Sequence, residues 1–163
     1  QMCIRDSHKG RNSRIYRAEE ALFDDITLEQ YMDHLVDQTV LILTNEPADI
    51  YANPTFLPDT MAHDYDKYWT DGRIERVLNV LQQHGIALEI NARYRIPSFE
   101  IIRRAKARGI KLTFGTNNVD ADFGRLEYCA EAIKQCGLTA DDIWFPSMST
   151  RRSRPIVIYN RFE

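Results

Sequence analysis

The chain has 163 residues, 44% of them hydrophobic and 28% charged, a balance ordinary for one globular domain. Its formal net charge of -3 gives nucleic acid no electrostatic footing as a partner. No apolar run approaches the roughly 20 residues that a membrane-spanning helix needs.

The two ends are read apart from the fold. Gln1-Met2-Cys3-Ile4-Arg5-Asp6-Ser7 resembles the conceptual translation of a transposon-end adapter used in preparing DNA sequencing libraries, and is set aside as a scar would be. The expectation is therefore that upstream sequence is missing, with 8–26 a linker or the remnant of an upstream barrel. At the other end, Arg151-Arg152-Ser153-Arg154-Pro155 precedes Ile156-Val157-Ile158-Tyr159. This stretch, 148–163, reads as a solvated tail leading to an edge strand or a fraying terminus.

Between the ends, two periodicities alternate. Thr27 with Gln30 has the spacing of a capping box, and Leu28, Tyr31, Met32, Leu35, Val36 and Leu43 fall at helical intervals. After Pro47 a short strand, Asp49-Ile50-Tyr51-Ala52, ends at Asn53-Pro54. His63, Asp64 and Asp66 follow; their spacing fits no tight ligand pattern, and a loop beside a helix start accounts for them. Ile74, Val77, Leu78 and Leu81 predict an amphipathic helix closed by His84-Gly85, and a strand over 86–91 comes next.

The grammar then repeats. Ser98 suits the N-cap of a helix with Ile101, Ile102 and Ala105 on one face and Gly109 at its end. Its basic residues Arg103, Arg104, Lys106 and Arg108 sit where the helix dipole favours cations. A strand over 110–115 follows, then a helix marked by Leu126, Cys129, Ala130 and Ile133 and closed by Gly137. Thr139 with Asp142 starts a turn before a last short strand, Ile143-Trp144-Phe145. Cys129 and Cys136 share a helix face and read as small core residues in a reducing compartment, since no CxxC or Cys/His cluster supports another role. His34 and His84 lie on predicted helices, at the surface or an interface.

Helix, glycine, strand, polar loop is the repeating unit of a parallel α/β sheet, here with about four strands. Periodicity alone fits either part of a barrel or an open sheet. In both, the ligand site lies at the carboxyl ends of the strands. Those ends carry Asn53, then Glu89 and Asn91, then Thr116, Asn117 and Asn118. Amides that donate and accept suit a hydroxylated or phosphorylated ligand, or a hard metal through their carbonyl oxygens. Asn is equally a turn residue. Alternation puts Glu89 and Asn91 on one side of their strand and Leu88 and Ile90 on the other. A carboxylate so buried needs a cation, a metal or a proton, and Lys111 is a candidate ion-pair partner. Arg93 and Arg95 are placed to clamp a phosphate or carboxylate, or to lie solvated in a surface loop.

Three stretches, Ala48-Asp49-Ile50-Tyr51-Ala52-Asn53-Pro54, Ala87-Leu88-Glu89-Ile90-Asn91 and Lys111-Leu112-Thr113-Phe114-Gly115-Thr116-Asn117-Asn118, resemble the C-terminal part of the polymerase-and-histidinol-phosphatase (PHP) family. The resemblance implies that 27–147 is the C-terminal part of a distorted seven-stranded βα barrel. It also implies a metal centre of manganese, zinc or iron at the strand ends that hydrolyses phosphate esters. Asn53 stands where the family has a His ligand, Asn117 where it has an Asp, and Val119 where it has a His; Asp120 lies one residue on. These exchanges remove charge and imidazole nitrogen from a cation site. Two readings follow. One is a histidinol-phosphatase-like hydrolase with a reduced metal set at Asn53, Asn117 and Asp120, completed by upstream residues, and with Arg93 or Arg95 steadying the phosphoryl oxygens. The other is a metal-free barrel whose rim binds a sugar or sugar phosphate.

Overall fold

A computed structural model describes residues 26–118, 121 and 124–146. The adapter-like segment, the tail, Val119 and Asp120 lie outside the described residues.

Helix α1 (Leu28–Asn45) begins at the expected capping box. Thr27 Oγ1 accepts from the Gln30 amide at 3.1 Å, and Gln30 Oε1 accepts from the Thr27 amide at 2.8 Å. Two of the helix's orphan donors are thereby satisfied. The helix stops where Glu46 turns extended ahead of Pro47, a residue that disfavours helical geometry in its predecessor. Its buried stripe of Tyr31, Met32, Val36 and Leu43 packs against α4 (Asp71–His84). Two single-turn helices, α2 (Asp59–Ala62) and α3 (Tyr65–Tyr68), fill the stretch read from sequence as a loop.

Strands β1 (Ile50–Tyr51), β2 (Ala87–Asn91) and β3 (Leu112–Gly115) form one parallel sheet in that spatial order. Ile50 pairs with Ala87, and Leu88 with Leu112. Helix α4 makes the first crossover and α5 (Phe99–Ala107) the second; α5 packs on α6 (Glu127–Cys136). The protein is thus mixed α/β, and within the described residues the sheet is open. Gly85 and Gly137 cap α4 and α6 in left-handed geometry, with φ 62° and 59°, which a side chain would strain.

The expected fourth strand is reduced to one parallel bridge between Ile143 and Leu112, after a 3-10 turn over Ala140–Asp142. The Trp144 amide donates to Leu112 O at 2.8 Å. The next donor on that edge falls two residues on, at Pro146, which has no N–H, so the ladder ends there. All five residues of β2 are buried, as befits the central strand, and Leu88 and Ile90 join the hydrophobic core.

Arginines stitch the helices together across the core's outer side. Arg73, only 8% exposed, reaches Asp33 at 2.7 Å, Glu29 at 2.8 Å and the Tyr68 carbonyl at 2.9 Å. Arg104 binds Asp71 at 2.6 Å and Glu75 at 2.5 Å, and Arg108 also binds Glu75. The basic end of α5, read from sequence as a complement to its own dipole, therefore ties α5 to α4 through Arg104 and Arg108 and to α6 through Arg103, which donates to the Gln135 carbonyl. Lys106 reaches Asp142 at 3.3 Å beyond α6.

Hydrogen bonds from Arg108, then Arg104, hold the Glu75 carboxyl below its ordinary value. A depressed carboxylate contributes stability that is complete above the unfolded-state value, about 4.3, and lost as pH falls through the lower folded value. Glu75→Gln is expected to flatten the loss of urea resistance below about pH 4 while sparing the basic side. Urea midpoints of both proteins across pH 7 to 2.5 (roughly the carboxylate window) check this; parallel curves would show that Glu75 carries none of it.

Candidate functional site

Every non-glycine residue of positive φ among the described residues lies just beyond a strand's carboxyl end. Asn53 (φ 48°) and Thr55 (φ 61°) follow β1, Arg95 (φ 53°) follows β2, and Asn117 (φ 47°) follows β3. Asn tolerates this geometry, so Asn53 and Asn117 do act as turn residues. Thr55 is β-branched, and its conformation is held by its neighbours. The Tyr65 hydroxyl donates to Thr55 Oγ1 at 2.6 Å, and Trp69 Nε1 donates to Thr55 O at 2.9 Å.

Three of the expected site residues converge. Glu89, 3% exposed, accepts on Oε2 from the Asn53 amide at 2.5 Å and more weakly from Asn91 Nδ2 at 3.5 Å. Asn91, fully buried, donates from Nδ2 to Asn53 Oδ1 at 2.6 Å and accepts on Oδ1 from the Tyr94 amide at 3.1 Å. One amide thus joins the loop after β1 to the loop after β2. Glu89 also lies across the end of β3. A Cβ on Gly115 would stand 1.9 Å from Glu89 Oε1, so glycine is what makes room for the carboxylate.

Other expected residues fall elsewhere. Lys111, offered from sequence as the partner of Glu89, is exposed just before β3 and donates to the Asp141 carbonyl, because it sits at the opposite end of the strand from the rim. Asn118 is exposed and its Oδ1 accepts from the Gly124 amide at 3.0 Å, fastening its own loop. Asn117 is half-buried, and Thr116 lines a cleft. His63 is exposed, 3.6 Å from Asp64. His34 and His84 are half-buried on α1 and α4.

A cleft of about 640 Å³ opens between the loops after β2 and β3, lined by Arg93, Tyr94, Arg95, Thr116, Arg125 and Tyr128 among others. A second, of about 450 Å³, lies on the other side of the 93–95 loop and includes Phe56, Ala62, Tyr65 and Ile96. Arg95 is held in place: it pairs with Glu131 at 2.8 Å, and its guanidinium lies 4.8 Å from the centre of the Tyr128 ring. Tyr128 in turn stacks on Phe99 at 5.1 Å and donates to Pro97 O at 2.6 Å. Burial pushes its hydroxyl up to about 12, so it stays a donor at neutral pH. Beneath the rim, the Cys129 thiol is pushed up to about 11, mainly by burial and then by the charge of Glu89. It is a neutral core group there.

Of the expected metal positions, Asn53 and Asn117 follow β1 and β3, and Asp120 lies outside the described residues. Asn53 Oδ1 is engaged by Asn91, and no group of three or more His, Cys, Asp and Glu side chains gathers among the described residues. Glu89 is the carboxylate of the hydrogen-bonded rim, and one oxygen of it is taken by the Asn53 amide. Among the described residues Asn53, Asn117 and Glu89 supply one carboxylate and no imidazole, fewer donors than the multi-carboxylate, imidazole-bearing centre that the PHP resemblance implies.

Tyr94, Arg125 and Tyr128 were not singled out from sequence. Tyr94 stands between two arginines in a strand-end loop, which was a usable signal. Arg125 precedes α6 and Tyr128 lies in its first turn, and no spacing within one segment shows that they line the same cleft as the loop after β2. No protein-family model matches the chain, and neither a curated protein nor a solved structure does. Among the described residues no helix is long and apolar enough to cross a membrane.

Proposed function

We propose that the carboxyl-end face of the sheet, in a PHP-like barrel segment, binds a small polar ligand bearing an anionic group, a phosphate ester such as a sugar phosphate in the first instance. The observation that carries this is the 640 Å³ cleft, whose walls bring Arg93, Arg95 and Arg125 together beside Thr116 and Tyr128. Guanidinium groups offer paired N–H donors that match phosphate oxygens. Arg95, pinned by Glu131 and Tyr128, presents its group with little freedom left to lose on binding. Glu127 is the carboxylate on the same wall and biases the cleft against more than one strongly anionic group. The rim network of Asn53, Glu89 and Asn91 supports the reading by fixing the loops that carry these side chains.

Titration calorimetry of the chain with inorganic phosphate and with glucose 6-phosphate tests it. Binding is expected to weaken about tenfold or more in Arg125→Ala and in Arg93→Ala, the scale of one lost charge-assisted hydrogen bond. It is also expected to weaken with added salt. Absence of binding at millimolar ligand would overturn the reading.

A second reading, metal-dependent phosphoester hydrolysis, draws its support from the three PHP-like stretches and from the Glu89 carboxylate at their meeting point. Elemental analysis of protein purified without chelator, alongside Asn53→Asp and Asn117→Asp, tests this one. Bound manganese, zinc or iron that increases in the variants would favour it, and none in any of the three would remove it.

A further inference from the structure

Within the anion-binding reading, we infer that the ligand also carries a flat, uncharged aromatic ring, which lies in the second cleft beyond the 93–95 loop. The two clefts share Arg93, Tyr94 and Arg95, so a single molecule reaches both by crossing that loop. Away from the shared loop their walls differ: the first has Thr116, Arg125, Glu127 and Tyr128, and the second has Phe56, Leu57, Tyr65 and Ile96 with Asp59 and Ser98. Phe56 and Tyr94 meet edge to face, with centroids 4.7 Å apart and planes at 70°. That arrangement leaves faces and edges on which another ring packs favourably.

Each of these rings is held in position. Tyr65 is anchored through its hydroxyl to Thr55, and Tyr94 through its main-chain amide to Asn91. Phe56 follows directly on Thr55, whose left-handed φ of 61° fixes the course of the chain there. Yet Tyr94 remains 42% exposed, a large ring presented to solvent between two clefts. Backbone strain gathered on the segments that carry these side chains fits a binding site. A volume of about 450 Å³ is ample, since a cavity of roughly 150 Å³ already admits benzene. Asp59, exposed at the edge of this cleft, disfavours a second anionic group and leaves the charge to the arginine side.

Phosphonates, which no phosphoesterase consumes, provide the test: methylphosphonate, phenylphosphonate and cyclohexylphosphonate are titrated against the whole chain. Phenylphosphonate is expected to bind at least about tenfold tighter than methylphosphonate, with cyclohexylphosphonate between them. In Phe56→Ala, and in Ala62→Trp, which fills the second cleft, the phenyl advantage is expected to vanish while methylphosphonate affinity stays as it was. The unchanged methylphosphonate value also shows that each variant is folded at the site. Equal binding of phenyl and methyl ligands overturns the ring subsite and leaves the anion site standing. An advantage retained in both variants, or cyclohexyl binding as tight as phenyl, overturns it as well. Failure of all three ligands to bind removes the anion site beneath it.

Discussion

Gly115→Ala is expected to cost the fold roughly 3 to 5 kcal/mol, a severe loss for a single methyl group. The added Cβ would stand 1.9 Å from Glu89 Oε1 and 2.6 Å from its Cδ, distances at which something must move. Forcing a methyl into a packed site costs about 1–3 kcal/mol on its own. The larger part comes from the carboxylate, which on moving gives up its 2.5 Å bond from the Asn53 amide. A hydrogen bond to a charged group contributes about 1.5–3 kcal/mol, and a buried group left without its partner costs at least as much. Urea unfolding of Gly115→Ala, Glu89→Ala and the double variant measures the coupling. Gly115→Ala is expected to cost far less in the Glu89→Ala background, because the two side chains compete for one volume. Equal costs in the two backgrounds would mean that Glu89 does not lie across the end of β3.

Asn91→Leu is the second large effect. The substitution keeps volume in a fully buried position and removes both hydrogen-bonding functions. Asn53 Oδ1 then loses a donor at 2.6 Å, and the Tyr94 amide loses an acceptor at 3.1 Å. At about 1–3 kcal/mol for each polar group stranded, a loss near 3 kcal/mol is expected. Faster hydrogen exchange at the Tyr94 amide should accompany it, since the loop after β2 is fastened there. Phosphate affinity should fall with it, although the substituted side chain itself would lie outside the cleft's arginine wall. A variant that kept native exchange at Tyr94 and native affinity would show that the amide does not organise the rim.

Much of the fold is legible because local signals carry it. The Thr27/Gln30 box, the left-handed glycines Gly85 and Gly137, and the alternation along Ala87-Leu88-Glu89-Ile90-Asn91 each specify geometry within a few residues. Parallel pairing of neighbouring βα units follows from them. The shortfall at the fourth strand was legible in principle: Pro146 withholds the donor that a parallel ladder needs two residues after Trp144. The partners of the α5 cations were not. Arg104 and Arg108 find Asp71 and Glu75 about 30 residues earlier in the chain, as two packed helices must (one ion pair fixes no such register by itself).

The rim was read in part for the same reason. Glu89 and Asn91 share a strand face by periodicity alone, and Asn53 meets them because β1 pairs with β2. Asn118 belongs to its own loop, and Lys111 faces away from the rim. Both depend on which end of a short strand a residue occupies, and the sequence left strand β3 two residues too long at its start. The clefts themselves arise from loops meeting in space, and no spacing within one segment encodes them.

Spatial order equals chain order in this sheet: β1, β2, β3. A strand leaving the ribosome therefore meets as its partner the one finished just before it, and none has to wait for a later strand to be inserted between it and its neighbour. Helices α4 and α5 extend that sequence, since α4 already packs on α1, and α5 finds its anionic partners on α4. Growth by addition of one βα unit at a time keeps the separation between contacting segments small, which favours rapid assembly and shortens the exposure of unpaired edges during synthesis. Among the rim's contacts, those made by the loop after β3 and the start of α6 form last, so ligand-binding competence would arrive after the three strands have paired.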